Sequence, residues 1–340
     1  MRLRTDAPVT LSTIAQAAGV HPSTASRALN PLEVDKVRKS TVEKVRQIAS
    51  EMGYEPNPWA RSLRTNRTKM IGLIIPRLTD AIVGQMFEGA EDAAHERGYQ
   101  AVTLSTRDRE GLQRELVDRL LERRVDGIIL ATATIHDPLL DELEERGVPF
   151  VLMNRGSGDH TTVRADDELG GFLATRHLIG QGHRRIGVIA GPLDFSTAVM
   201  RLDGYRRAHA EANFPIDESL IAVSTLSVEG GATAAAQLLS AANPPTAIFA
   251  VNDSTAIGTM GTARDLGFRI PQDLAVVGFN ETSLSAMLPI PLSSVSLPLR
   301  EMGLRAMDLL LDSIEGKPVQ SVILPPRLVV RTSSSWHRGD

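Results

Sequence analysis

Cysteine is absent from the 340 residues, which removes disulfides, thiolate metal ligands and cysteine nucleophiles together. No apolar run approaches the roughly 20 residues needed to span a bilayer. The opening M-R-L-R-T-D-A-P has no apolar centre of the kind a secretory signal carries, so a cytoplasmic location without a membrane partner is expected. The chain also lacks G-x-S-x-G, G-x-x-x-x-G-K-[ST], H-E-x-x-H and G-x-G-x-x-G, and its eight histidines show no metal-ligand spacing. The expectation is therefore a protein that is not an enzyme, with no catalytic residue, cofactor or metal.

The length suits two or three domains, each able to bury its own core. The net charge of −4 hides a division. Residues 1–69 hold 12 Lys and Arg against 6 Asp and Glu, a net +6, which leaves 25 against 35, or −10, for the rest. A basic head on an acidic body is the electrostatic footprint of a phosphate-backbone binder, although a solvated charged surface gives the same count.

The head is organised around V-T-L-S-T-I-A-Q-A-A-G-V-H-P-S-T-A-S-R-A-L-N, from Val9 to Asn30. Leu11, Ile14, Ala15 and Ala18 fall at i, i+3, i+4 and i+7, one stripe of a short helix that Gly19 closes in the left-handed conformation. Pro22 suits the first position of a second helix, because its missing N–H would be unpaired there anyway. Ala25, Ala28 and Leu29 form that helix's inner face, leaving Pro22, Ser23, Thr24, Ser26 and Arg27 at its start and outside. This reads as helix-turn-helix, with an ordinary helical hairpin as the alternative. Ser40-Thr41-Val42-Glu43 has the pattern of a capping box for a third helix with Val42, Val45, Ile48, Ala49 and Met52 inward and Gly53 as its stop. Lys36, Arg38, Lys39, Lys44 and Arg46 lie before or along it, within reach of phosphates.

In Tyr54 to Thr68, Asn57 is a good cap and Pro58 a good first residue, but about two turns of isolated helix are marginal in water. The segment is expected to order only when held. Arg61, Arg64 and Arg67 suggest DNA phosphates as the holder, and Leu63 suits a wedge into the minor groove. The other reading is a plain linker with Leu63 packed on the neighbouring domain.

From Met70 onward, β-branched runs alternate with amphipathic stretches. The runs are Ile71–Ile75, Ala101–Leu104, Gly127–Ala131, Phe150–Met153, Ile186–Ala190, Ala247–Val251 and Ala275–Phe279. The helical stretches include Gly84–Arg97, Glu110–Arg123, Leu169–Gly180, Asp203–Asn213, Gly231–Ala241 and Thr255–Leu266. Such alternation implies parallel sheets covered on both faces. A helix ending at Gly98-Tyr99 and again at Gly267-Phe268 suggests two similar halves, with the default pocket beyond the carboxyl ends of their strands. Asp80, Asn154, Arg155, Asp166, Ser196, Arg201, Asn252, Asp253 and Asn280 cluster after those ends. Asp253 is either a helix cap or a ligand contact. Arg201 either pairs with Asp203 or another neighbour, or meets a ligand.

These pieces resemble the lactose-repressor (LacI/GalR) family of bacterial transcription regulators over essentially the whole chain. The matching motifs are V-T-L-x-x-I-A-x-x-A-G-V-x-x-x-T-x-S-R-x-L-N at 9–30, G-Y-x-P-N-x-x-A-R-S-L-R-T-x-R-T at 53–68 and I-G-L-I-I-P at 71–76. In the body, V-x-x-D-x-x-x-G at 163–170, Arg201-Leu202-Asp203-Gly204-Tyr205, Asn252-Asp253 and Val276-Val277-Gly278-Phe279 follow in order.

The resemblance implies an all-α helix-turn-helix domain at 1–56 and a hinge helix and linker at 57–68. After them it implies an α/β body at 69–340, similar to periplasmic binding proteins and built from two doubly wound parallel-sheet subdomains. These would span about 69–166 plus 298–326 and about 167–297 plus 327–340. It further implies a homodimer on a near-palindromic double-stranded operator, most simply a repressor, controlled by a sugar, sugar acid or sugar phosphate. A solute-binding protein without a DNA role is the alternative. DNA contacts would come from Thr10, Leu11, His21, Pro22, Ser23, Thr24, Ser26, Arg27 and Asn30, and from Asn57, Ala60, Leu63 and Arg64. The effector would meet Asp80, Asn154, Asp166, Phe195, Arg201, Asn252 and Asn280.

The chain departs from the family pattern in several places. His21 replaces the usual Ser, as a weaker cap or a direct phosphate contact, and the loop from Pro31 to Lys39 is longer than usual. Arg77-Leu78-Thr79-Asp80-Ala81-Ile82-Val83 lacks the aromatics often found after the first strand, Leu226 stands where some sugar-binding relatives have an aromatic, and Asn280 replaces Asp. With Arg77, Arg155 and Arg201 in this region, an acidic or phosphorylated ligand and a neutral sugar both remain open. Phe195 is the aromatic expected to act as a stacking platform. The C-terminus L-P-P-R-L-V-V-R-T-S-S-S-W-H-R-G-D has no leucine-heptad helix, which favours a dimer over a tetramer.

Overall fold

A computed structural model gives the fold for residues 9–30, 33–54, 67–109 and 111–335. The chain forms two compact units, one up to Thr68 and one from Lys69.

In the first unit, α1 (Leu11–Ala18) opens on a reciprocal cap. The Thr13 N–H donates to Thr10 Oγ1 at 3.3 Å and the Thr10 N–H donates to Thr13 Oγ1 at 3.4 Å. Gly19 ends the helix at φ 67°, a left-handed turn that glycine adopts without a Cβ clash. Next come α2 (Pro22–Leu29), a 3-10 turn (Val34–Lys36) and α3 (Lys39–Glu51). Ile14, Ala15, Ala18, Ala25, Ala28, Val42, Val45 and Ala49 are the buried core.

Two expectations for α3 need correction. Ser40 to Glu43 forms no capping box: the helix starts at Lys39, so these residues lie inside its first turn, and its N-cap Arg38 makes no side-chain cap bond. Met52 is exposed, because the helix ends at Glu51 and Met52, as C-cap, leaves the inward stripe. The hinge helix expected within 57–68 lies outside the described residues, except for Arg67 and Thr68.

The second unit contains two six-stranded sheets of matching order. The first is β11-β5-β4-β3-β1-β2, from β1 (Met70–Ile75), β2 (Gln100–Ser105), β3 (Gly127–Leu130), β4 (Phe150–Met153), β5 (Thr162–Ala165) and β11 (Val322–Leu324). The second is β12-β10-β9-β8-β6-β7, from β6 (Ile186–Ala190), β7 (Ile221–Val223), β8 (Ala247–Ala250), β9 (Ala275–Asn280), β10 (Ser293–Ser296) and β12 (Arg327–Val329). All pairings are parallel except β10 with β12. The central strands are buried on both faces, which is why they read as unbroken apolar runs. The chain passes between halves three times, after β5, β10 and β11.

The helices of the first half are α4 (Ala81–Glu96), α5 (Leu112–Glu122), α6 (Pro138–Glu145) and α11 (Leu299–Ile314). Those of the second are α7 (Asp167–Gly180), α8 (Ser196–Glu211), α9 (Val228–Leu239) and α10 (Asp253–Asp265). The helix expected from Asp203 begins seven residues earlier, at Ser196, so Arg201 sits inside a helix. Strands β5, β7, β10, β11 and β12 and helices α6 and α11 were not among the segments read from periodicity. Among the described residues, no helix is long and apolar enough to cross a membrane.

Three helix pairs cross with backbones almost touching, each through a glycine from either side. A Cβ on Gly89 of α4 would collide with the Arg300 carbonyl of α11, and one on Gly303 of α11 with the Met86 carbonyl of α4. Gly171 with Gly204 joins α7 to α8 in this way, and Gly231 with Gly258 joins α9 to α10. Gly303→Ala is therefore expected to lower stability by about 1–3 kcal/mol, since the obstructing atom is backbone and cannot rotate away. An unchanged urea midpoint would show that the α4–α11 contact is not this tight in solution.

Candidate nucleic-acid interface and cleft between the sheets

In the first unit α2 is packed through Ala25 and Ala28, which leaves His21, Pro22, Ser23 and Arg27 exposed and Thr24, Ser26 and Asn30 half-buried on its outer side. His21 resolves into a cap: its Nδ1 lies 3.3 Å from the Ser23 N–H and 2.8 Å from Ser23 Oγ. Thr10 is exposed and Leu11 half-buried at the start of α1. Lys39, Lys44 and Arg46 are exposed on α3. A helix start rich in small polar side chains and one Arg, flanked by cations, can read base edges while the cations hold phosphates. Asn57, Ala60, Leu63 and Arg64 lie outside the described residues.

In the second unit, the ends of the strands converge on a cleft between the halves. A cavity of about 630 Å³ there is lined by Thr106, Asp108, Thr132, Arg155 and, from the second half, Asp194 and Phe195. The halves touch beside it. The Ile135 N–H donates to the Asp194 carbonyl at 2.9 Å and the Gly156 N–H to Ser196 Oγ at 2.9 Å. Arg155 is 7% exposed and stacks on the Phe195 ring at 3.5 Å. Burial pushes its guanidinium down to about 10, against the opposing pull of Asp108, Asp194 and Asp80.

Arg201 is buried and paired, but not with Asp203. Its Nε donates to Asp167 Oδ1 at 2.8 Å, its Nη1 donates to the Val251 carbonyl at 2.6 Å, and its plane lies 3.8 Å over Phe279. Asp203 instead pairs with Arg206. Burial raises the Asp167 carboxyl above the ordinary range, with Arg201 opposing.

Asp80 and Asp166 cap α4 and α7, accepting from Ile82 N and Leu169 N. Burial raises Asp80 as well. Asn252, not Asp253, caps α10: its Oδ1 accepts from Thr255 N at 2.7 Å, while its Nδ2 donates to the Leu226 carbonyl. Asp253 is a buried hub that accepts from Thr282 N, Ser285 Oγ and Ser294 Oγ at 2.6–2.7 Å. Asn154 and Asn280 stand at the ends of β4 and β9 in left-handed conformations, φ 70° and 98°.

Electrostatic coupling links Asp80 to Arg155, Arg155 to Arg201, and Arg201 to Asp167, so these residues converge. Thr132 and Asp194 line the cavity and Asp167 is the buried partner of Arg201, and none of the three was selected from sequence. Thr132 follows a strand that periodicity had found and so was within reach. Asp167 was passed over for its neighbour Asp166. Among the described residues, no group of three His, Asp or Glu is placed to hold a metal.

Residues 10–57 match the profile of bacterial regulatory proteins of the lacI family, and residues 175–334 match a periplasmic binding protein-like domain. The HTH-type transcriptional regulator DegA of Bacillus subtilis (strain 168) is 36% identical over 96% of this chain and 98% of its own length. Among solved structures, a complex of the transcriptional regulator CelR with cellobiose is 34% identical, with TM-score 0.74 over 96% of this chain and 99% of that one. The lac repressor dimer bound to operator and the anti-inducer ONPF is 28% identical, with TM-score 0.84 over the same shares.

Arg201→Ala would leave a buried Asp167 without its cation, an expected loss of about 3–5 kcal/mol at neutral pH. The sign with pH follows from the raised carboxyl. A folded-state value above the unfolded one favours the protonated form, so its stabilising contribution is present at low pH and disappears as pH rises through the folded value. The deficit of Arg201→Ala relative to the parent should accordingly be smaller at about pH 5 than at about pH 8. Urea unfolding at both values checks this, and a deficit independent of pH would remove Asp167 as its source.

Proposed function

The chain belongs to the LacI family of bacterial regulatory proteins and is a DNA-binding transcriptional regulator; from that premise we propose that it is a cytoplasmic repressor whose dimer holds a near-palindromic operator under the control of a small molecule. In each protomer α2 enters the major groove, with Arg27 at a base edge and the cations of α3 on phosphates. Asn57, Ala60, Leu63 and Arg64 of the hinge take the minor groove, with Leu63 opening a central step. The body receives the effector between its two sheets.

The observation that carries this reading is the conjunction, in one chain, of an exposed, capped second helix with a cleft lined by polar side chains from both of its halves. The helix has no need of that cleft to fold, and the cleft has no need of the helix. Regulation gives them a common purpose. Occupying the cleft changes the relative populations of two arrangements of the halves, and the DNA affinity follows, by about 1–3 kcal/mol in systems of this kind. The relatives support the same picture, since one is bound to cellobiose and another to operator and anti-inducer.

Arg27→Ala is expected to relax base preference at one position in each half-site, with about 1–3 kcal/mol lost against the preferred base. Competition binding across a set of operator variants measures it. A loss equal for every sequence would place Arg27 on the phosphates and take it out of the base-reading set.

A further inference from the structure

The two halves of the body enclose a second cavity besides the one that holds Arg155 and Phe195. The residues that follow those two in sequence, Gly156 and Ser196, line a space of about 520 Å³ that shares no lining residue with the first. Gly156 and Ser196 are also the pair bonded across the halves at 2.9 Å. The volume falls in the range usual for small-molecule sites. The first half contributes Arg164 of β5, with Ser321 and Ile323 at the edge strand β11. The second contributes Ser196, Val199 and Met200 from the first turns of α8.

The polar groups left over in this cavity are donors. Arg164 is half-buried, and its stem passes Gly156, where a Cβ would lie 4.0 Å from Arg164 Cδ. Its Nη1 donates to the Ala165 carbonyl at 3.0 Å, and among the described residues its guanidinium has no carboxylate partner. Asp167 feels this charge but is itself bonded to Arg201. Ser196 Oγ and Ser321 Oγ each accept a backbone N–H, from Gly156 at 2.9 Å and from Thr162 at 3.0 Å, and among the described residues neither hydroxyl proton has an acceptor. A guanidinium and two hydroxyl protons in search of acceptors suit a carboxylate.

The remaining lining narrows the choice. Val199, Met200 and Ile323 are apolar, and Ile323 is 52% exposed, which favours a ligand with a hydrocarbon body to cover it. His160 lies against Asp141 and Glu144 of α6, at 3.3 and 3.6 Å, and so adds no free cation. Asp159 and Asp203 line the same space, and Asp203 already pairs with Arg206. With one unpaired cation and two carboxylates nearby, the second charge of a dianion would go uncompensated.

We propose that this second cavity binds a small monocarboxylate with an apolar body, held by Arg164 and Ser321 from the first half and by Ser196 from the second. A ligand that touches both halves favours the arrangement in which they are in contact. The binding stands apart from the regulatory function proposed above, and only its consequence for DNA affinity rests on that reading.

Calorimetric titration of the full-length protein with hexanoate and benzoate, each beside its amide and beside hexyl or phenyl phosphate, tests this. At least one of the two carboxylates should bind with a dissociation constant of about 1 mM or below. Its amide and its phosphate counterpart should bind about tenfold more weakly or worse. Arg164→Gln should weaken the carboxylate about tenfold or more while leaving the urea midpoint nearly unchanged, because the one protein bond lost is to a neighbouring carbonyl. Met200→Glu, at a half-buried position on α8, should weaken it by at least as much, through a like charge set in the cavity. No binding by either carboxylate at ten times that concentration, equal binding by the amide or the phosphate, or an affinity untouched by either substitution overturns the proposal. So does loss of binding in Arg155→Gln, which would put the carboxylate in the larger cavity. Failure of the regulator reading registers separately, as a protein without preference for any inverted-repeat duplex over random DNA.

Discussion

The body of this protein depends on how closely its helices approach one another. Six glycines lie at three crossings, two on each pair, and each removes the Cβ that would strike a backbone atom of the partner helix. Glycine within a helix costs about 1 kcal/mol relative to alanine, so six of them oppose helix formation appreciably. They persist because a single Cβ at these crossings would separate two long helices and open the core on either side, a larger penalty than the propensity lost. The same device sets the cleft. Gly171 and Gly204 bring the start of α7 against α8, which is what puts Asp167 within 2.8 Å of Arg201. Gly231 and Gly258 seat α10, whose first residues are Asn252 as cap and Asp253 as hub. Gly89 and Gly303 fix α4, which begins at Asp80.

Once the helices are placed, the wall of the cleft is rigidified by polar bonds instead of apolar packing. Asn280 and Glu281 are consecutive residues other than glycine with positive φ, 98° and 55°, a conformation costing about 1–3 kcal/mol at each position. Glu281 is paired with Arg331, its N–H donates to Ser294 Oγ, and Asp253 gathers Thr282, Ser285 and Ser294. Hydrogen bonds to charged groups contribute about 1.5–3 kcal/mol each, so the network outweighs the strain. It leaves Asn280 held at the edge of β9 with its carbonyl oxygen unpartnered. That oxygen is thus held in place by neighbours that are themselves satisfied, the condition under which a polar group is preorganised for something that is not protein.

How much of this was readable beforehand follows from what each residue had to do. Apolar runs marked seven strands, six of them almost wholly buried because burial selects those residues, and the seventh, β2, a half-buried strand at the edge of its sheet. Ser293-Ser294-Val295-Ser296 gave no such signal. It is a strand because its hydroxyls find buried partners in Arg331, Asp253 and the C-terminal serines, contacts between residues about 40 positions apart. The start of α8 was invisible for a related reason: Phe195 occupies the cap position and makes no side-chain cap bond there. Asn154 and Asn280 stand at strand ends and Arg201 five residues beyond the first residue of α8, but which cations already have partners depends on long-range pairing. Asp203 is Arg201's nearest carboxylate in sequence, yet the partner is Asp167, 34 positions away.

The head poses the opposite problem, a unit with very little to hold it. Of the eight buried apolar core side chains among its described residues, five are alanines, so the area removed from water per residue is small, and a domain of this size is marginal on surface-to-volume grounds alone. Its stability therefore leans on local devices: the Thr10–Thr13 reciprocal cap, the His21 cap and the left-handed Gly19 turn, each contributing about 0.5–2 kcal/mol. The alanines serve a purpose that larger residues would not, since small side chains let α1 and α3 pack close to α2 and keep its polar outer side clear. A unit this lightly stabilised gains most from its ligand. Operator at 100 times its dissociation constant adds about 2.7 kcal/mol to the folded state, comparable to the whole contribution of one or two caps. In a DNA-binding regulator, order in the head is thus coupled to occupancy of the operator.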